Sequence, residues 1–163
     1  MYPFLNYYTP QVSKKIIIKE AKISNIRQIY SCNKKCLPIS YNLESYFNFI
    51  LSDDSIVLIA ERNSELIGYI IGTYHQSIKG FHIISFAVYP KFRRLKIGSK
   101  LMANIIKLAI NKYDHLKKIS LYASCHNYIG HQFYLGQGFC IVKIIKNYYS
   151  HSDNAFVFEK TLN

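Results

Sequence analysis

The chain has 163 residues, half of them hydrophobic, with four prolines, fifteen tyrosines and no tryptophan. That length suits one domain that buries its core without metal or disulfide staples, and the composition excludes a disordered chain. Twenty-one basic against nine acidic residues give a net charge of +12, which attracts polyanions, although heavy use of Ile, Lys, Asn and Tyr also fits plain solvated surface.

No apolar run reaches the length of about 18 residues that spans a bilayer, and Met1 to Lys14 lacks the basic start and long apolar stretch of a secretory signal. We expect a cytoplasmic protein with no membrane partner, in which residues 1–14 form an N-terminal extension and residues 15–163 a single domain.

Lys15 to Lys19 centres on Ile16-Ile17-Ile18 and reads as a strand. Ser24 is placed to cap a helix running from Asn25 through Ile29, closed by Pro38. Asn42 caps a second helix, Leu43 to Leu51, whose Leu43, Phe47 and Ile50 recur at helical spacing. Ile56 to Glu61 and Leu66 to His75 form a hairpin around Arg62-Asn63-Ser64-Glu65, and Gly80 opens the strand Phe81 to Val88. Alternation along that strand puts His82 on one face with Ile84 and Phe86.

A helix beginning at Ile97 carries Leu101, Ile105 and Leu108 on one face and Lys100, Asn104, Lys107 and Asn111 on the other. Ile119 to Ala123 is a further strand, and Asn127 to Leu135 a short helix ended by Gly136-Gln137-Gly138. Phe139 to Lys146 and Ala155 to Thr161 close the chain as an antiparallel pair. Strand, two helices, three strands, helix, strand, helix and two strands, with no repeat or linker, predict one mixed α/β layer sandwich.

Cys32, Cys36, Cys125 and Cys140 are too few and too irregular for a disulfide framework. Cys32 and Cys36 lie four apart on a helix and could meet His126 or His131 at a zinc ion. The absence of a close Cys-x-x-Cys pair argues for buried thiols and no metal.

The stretch Val88-Tyr89-Pro90-Lys91-Phe92-Arg93-Arg94-Leu95-Lys96-Ile97-Gly98-Ser99-Lys100-Leu101 carries the most chemistry. Pro90 closes a strand because it has no amide for the ladder. The first-turn amides of the following helix, its dipole, and Arg93 and Arg94 together favour an anion such as a pyrophosphate. Gly98-Ser99-Lys100 lacks the Gly-Lys-Ser/Thr order of a P-loop, and no Gly-x-Ser-x-Gly elbow occurs.

This turn resembles the acetyl-CoA signature of the GNAT acetyltransferases, Arg/Gln-x-x-Gly-x-Gly/Ala after a Val-x-Pro segment, with Arg93 in the first place and Gly98 in the last. Lys96 stands where the family has its middle glycine, adding a Cβ that resists positive φ and a mobile cation beside the phosphates. Leu121-Tyr122-Ala123-Ser124-Cys125-His126-Asn127, with Gly130, Phe133, Tyr134 and Gly138-Phe139, resembles a second GNAT segment in the right order. The resemblance implies the GNAT fold, a mixed, mostly antiparallel sheet of about six or seven strands with about four helices. It also implies acetyl-CoA held by Phe86, Ala87, Val88, Arg93, Arg94, Leu95, Lys96, Ile97, Gly98, Ser99, Lys100, Asn127 and Tyr134. As a residue opening a helix, Asn127 is equally a cap.

Leu37-Pro38-Ile39-Ser40-Tyr41-Asn42 resembles the peptide-binding loop of N-terminal protein acetyltransferases, and Lys146-Asn147-Tyr148-Tyr149 their tyrosine pair in the last hairpin loop. Both are most similar to the NatE type, which acetylates chains that keep their initiator methionine. The resemblance implies substrate contacts from Leu37, Pro38, Ile39, Tyr41, Tyr148 and Tyr149, an auxiliary scaffold subunit and the ribosome as partners, and no specific DNA binding.

The family's base pair, a tyrosine before the coenzyme turn and a histidine after the long helix, corresponds to His82 and Tyr122, with the two residue types exchanged. His82 is then the general base, or a histidine hydrogen-bonded to structure; burial there lowers its pKa and keeps it neutral. Tyr134 matches a tyrosine near the coenzyme sulfur, as proton donor or orienter, and the Val88 amide is the oxyanion-type donor. The alternatives are acetylation of lysine or of a small cationic amine, and a catalytically silent basic module for the ribosome or a scaffold.

Overall fold

The computed structural model describes residues 15–162, so the expected N-terminal extension, residues 1–14, lies outside the described residues. Its elements are β1 (Ile17–Glu20), α1 (Ile26–Cys36), α2 (Leu43–Leu51), β2 (Ser55–Arg62), β3 (Glu65–His75), β4 (Gly80–Val88), α3 (Ile97–Lys112), β5 (Lys118–Ser124), α4 (Tyr128–Gly136), β6 (Cys140–Ser150) and β7 (Asp153–Thr161). This is the order read from the sequence. The strands form one seven-stranded sheet, β1-β2-β3-β4-β5-β7-β6. Every neighbouring pair is antiparallel except β4 and β5, which α3 joins as a parallel crossover. The fold class is the expected one. Among the described residues, no helix is long and apolar enough to cross a membrane.

Helices cover both faces. Leu101, Met102, Ile105 and Ala109 of α3 are fully buried against Ile67, Ile70 and Phe81, with Leu108 packed at the margin. On the other face Ile29 and Cys32 of α1 and Tyr46 of α2 close over Ile59, Tyr69, Ile71 and Ala87. Asn42 caps α2 as expected, its Oδ1 accepting from the Ser45 amide at 2.8 Å. Two local readings are corrected. Ser24 caps nothing: Ile23–Asn25 form a 3-10 turn, Asn25 Oδ1 accepts from the Lys22 amide at 2.9 Å, and the helix starts at Ile26 and runs to Cys36. In α2 it is Tyr46, Phe49 and Ile50 that face the core, leaving Leu43 and Phe47 exposed.

A bulge in β4 shapes the centre of the sheet. Ile71 pairs with Ser85 but Gly72 with Ile83, so Ile84 is an extra residue in β4. The extra residue resets the alternation. Phe86 therefore packs on the α3 side against Phe133, with ring centroids 5.5 Å apart, while Ile84 packs on the α1–α2 side. The expected common face of His82, Ile84 and Phe86 is thus broken between Ile84 and Phe86. β4 and β5 pair only from Gly80↔Lys118 to Ile83↔Leu121; beyond that point the strands part and leave a wedge.

The expected loop Lys146–Tyr149 lies instead inside β6. The hairpin continues to Ser150↔Asp153 across a register irregularity that begins after Ile145, where Asn147 takes φ 53° and donates its amide to Asn154 Oδ1 at 2.8 Å. Cys32 is buried and Cys36 half-buried, but Cys140 is exposed.

Gly72 faces the bulge, and a Cβ there would lie 2.2 Å from Phe81 Cε1, a ring that is itself fully buried. Gly72→Ala is expected to cost about 3 kcal/mol through displacement of Phe81, read as a lower urea midpoint with an unchanged slope.

Candidate active site

β4 and β5 bring two of the three expected catalytic residues, His82 and Tyr122, together at the point where they part, while Tyr134 stands on α4. His82 lies opposite Ser120 in the parallel register, and Tyr122 follows just past the last pair. The His82 and Tyr122 rings meet edge to face, centroids 4.6 Å apart, and His82 Nδ1 shares a 2.9 Å hydrogen bond with Ser120 Oγ. Burial, with His75 contributing less, lowers the His82 pKa to about 4. The imidazole is therefore neutral at pH 7 and anchored at Nδ1; in the tautomer that donates Nδ1–H to Ser120 Oγ, the other nitrogen is the one that accepts a proton.

From this pair an aromatic chain runs outward. Tyr122 meets Tyr148 at 5.2 Å and Tyr148 meets Tyr149 at 4.9 Å, both edge to face. Burial raises the pKa of Tyr149, and the nearby phenols of Tyr148, Tyr134 and Tyr41 and the Asp153 carboxylate raise it further. The Tyr41 ring packs edge to face on Tyr46 and Phe49 of α2, at 6.2 and 5.6 Å, and burial raises its pKa, with Tyr148 near enough to raise it further. Leu37 packs at the edge of the α1–α2 core, while Pro38 and Ile39 are exposed.

The turn into α3 has the features of an anion cradle. Lys96 ends it in the left-handed region at φ 58°, and the first helical bond runs from Lys100 N to Lys96 O at 3.0 Å. The amides of Ile97, Gly98 and Ser99 thus precede the helical ladder. Arg94 is also left-handed, at φ 65°. Arg93 turns inward, Nε donating to Val88 O at 3.0 Å, and Lys91 is committed to Glu65 at 3.2 Å. Gly98 lets the start of α3 approach Phe86, since a Cβ there would lie 3.1 Å from the Phe86 ring.

Tyr89 N donates to Ile67 O on β3 at 3.0 Å, so the preceding amide, that of Val88, faces the other way, into the wedge. The wedge, the amides and the cations fit a ligand with an amide-bearing arm and a pyrophosphate, as coenzyme A has. Asn127 caps α4, Oδ1 accepting from Gly130 N at 3.0 Å, and the Asn127 side chain lies where a Cβ of residue 130 would stand, so a side chain there would have to displace the cap. The Tyr134 ring packs on Phe133, Phe139 and Phe158, and burial pushes its pKa up to about 12.

His126 and His131 do not approach Cys32 and Cys36 as ligands. His131 Nε2 bonds Ser124 O at 2.8 Å, and Cys36 Sγ donates to Val88 O at 3.7 Å. Reasoning from the sequence missed Ser120, although it sits two residues before Tyr122 on the same strand face. It also missed Asp153, whose Oδ1 accepts from Ser124 Oγ at 2.7 Å, because a lone acid beyond a hairpin has no local signal.

Comparison with known proteins places this geometry. The profile of the "Acetyltransferase (GNAT) family" matches residues 25–139. An N-alpha-acetyltransferase of Sulfurisphaera tokodaii is 25% identical over 154 residues, covering 88% of this chain and 92% of its own. N-alpha-acetyltransferase 50 of Danio rerio is 27% identical over 142 residues, covering 85% and 83%. The structure of Arabidopsis thaliana Naa50 in complex with the bisubstrate analogue CoA-Ac-MVNAL superposes with a TM-score of 0.79 at 22% identity, over 90% of this chain and 99% of that one.

Two substitutions test the site's local energetics. Lys96→Gly removes a left-handed Cβ and is expected to stabilise the fold by about 1 kcal/mol in thermal melts. It should also lower the salt dependence of acetyl-CoA binding, read by calorimetry, through loss of one cation. The depressed pKa of His82 means that the unfolded chain takes up its proton first. Stability is full above about pH 6.5 and is lost as the pH falls toward 4, so His82→Gln should decline more shallowly over that window.

Proposed function

The chain belongs to the GNAT acetyltransferase family and is an acetyl-CoA-dependent acetyltransferase, and on that premise we propose that its acceptor is the free α-amino group of a protein N-terminus. The observation that carries this reading is the convergence of Tyr41, Tyr148 and Tyr149 beside the His82–Tyr122 pair. Tyrosine hydroxyls suit the backbone of an extended dipeptide, and ring faces suit an apolar first side chain. The relatives' names support it, since two curated homologues of matching length are N-alpha-acetyltransferases.

Acetyl-CoA when bound supplies an activated acetyl thioester. The Val88 amide is the donor for its carbonyl oxygen, and the amides of the α3 turn with Arg94, Lys96 and Lys100 are the donors and cations for its phosphates. An α-amino group titrates near pH 8, so part of it is neutral without help, and His82 has only to take its proton as the new amide bond forms. A neutral imidazole held by Ser120 is ready for that step. Tyr134, with its pKa pushed up to about 12, is a hydrogen-bond donor to the departing sulfur rather than a source of a full proton. Asn127 serves α4 as its cap.

We assign the first side chain of the acceptor to the apolar surface of Leu37, Pro38 and Ile39, which favours a retained methionine followed by an apolar or other large residue. The charge of +12 supports action in the cytoplasm beside an RNA-rich surface such as the ribosome, with or without an auxiliary subunit. Incubation with acetyl-CoA and peptides beginning Met-Leu, Met-Lys, Ser and Glu, together with a blocked peptide carrying an internal lysine, tests the proposal. Acetylation of the Met-initiated peptides first is the expected result; preference for Ser or Glu overturns the methionine assignment, and turnover of lysine alone overturns the α-amine.

A further inference from the structure

A buried hydrogen-bonded cluster ties the loop after α1 to the bulge of β4. Asn33, on α1, is fully buried. Its Nδ2 donates to Tyr69 Oη on β3 at 2.7 Å and to Ser85 Oγ on β4 at 3.3 Å, while its Oδ1 accepts from Ser40 Oγ at 2.5 Å. Tyr69 Oη and Ser85 Oγ are themselves 2.7 Å apart. Ser85 follows the bulged Ile84, three residues past His82, and Ser40 precedes Tyr41.

We propose that Asn33 is a positioning residue for the acceptor: it fixes the Ile39–Tyr41 segment at a set distance from the strand that carries His82 and the Val88 amide. The geometry favours this over a purely structural role. The core on this face is already closed by Ile29, Cys32 and Tyr46, and would need only apolar groups at these positions. A polar cluster in a dry interior has one geometry in which every member is satisfied, whereas apolar packing tolerates several. Ser40 is also bound at its side chain to a helix it has already left, so the loop's course is set by that bond. A loop otherwise exposed at Pro38, Ile39 and Tyr41 gains a fixed anchor where its aromatic wall begins.

The inference rests on the α-amine reading of the acceptor, so the test separates the two. Ser40→Ala and Ser40→Thr are compared, since Ser40 is half-buried and neither change threatens the core. With a Met-Leu peptide, Ser40→Ala is expected to raise the peptide KM about tenfold and to change the acetyl-CoA KM by less than about twofold, with Ser40→Thr restoring the wild-type value. Ser40→Ala combined with Ser85→Ala should cost less than the sum of the two, because both changes break the same cluster. An unchanged peptide KM, an equal rise in both KM values, or additive effects overturn the proposal. If the wild-type enzyme acetylates no α-amine, the acceptor reading falls, and hydrogen exchange of the backbone amides in residues 39–42 decides the clamp: faster exchange in Ser40→Ala supports it and unchanged exchange overturns it.

Discussion

Past Ile83 and Leu121 the two parallel strands at the centre of the sheet stop exchanging hydrogen bonds, and their facing edges are left with amides and carbonyls to satisfy. A sheet interior does not normally leave such groups open. β4 is driven off its course by the extra residue Ile84, while β5 continues straight along β7 through Ala155. The wedge is thus a consequence of one inserted residue, and a ligand whose arm carries amides completes what the sheet lacks. His82 and Tyr122 stand at its apex, and the α3 turn at its mouth.

The mouth itself is built against local preference. Two left-handed positions, Arg94 and Lys96 on either side of Leu95, carry side chains where glycine would sit without strain. The strain is local and modest, and these positions add cations that glycine cannot supply beside the helix-start amides. Gly98 shows the opposite solution within the same turn: there the Phe86 and Phe133 rings lie so close that any Cβ would have to push them aside. Whether a position in this turn carries glycine is decided by what lies beneath it as much as by its φ.

Most of the fold was legible because hydrophobic period, caps and turn residues agree along the chain; Asn42 and Gly80 mark boundaries that the structure keeps. The misreadings share a cause. Strand alternation presumes one residue per step, and a bulge breaks that count without any signal in composition, so Phe86 was placed with His82. A register irregularity hid the continuation of β6 through Tyr148 and Tyr149 in the same way. In α2 the residues at helical spacing were real, but two stripes share that helix, and only the sheet beneath decides that Tyr46 goes inward. Ser120, Asn33 and Ser85 carry no motif at all, since their roles exist only once strands remote in sequence lie side by side.

The β4–β5 ladder has only four paired positions and joins segments separated by the whole of α3. Hairpins such as β2–β3 and β6–β7 close locally, but this ladder must wait for the crossover helix to dock, because loop-closure entropy is spent before its few hydrogen bonds form. The apex where His82 meets Tyr122 therefore does not exist in any part of the chain taken separately. Coenzyme that recognises the wedge recognises the completed molecule and no fragment of it, so its binding free energy is added to the stability of the entire fold.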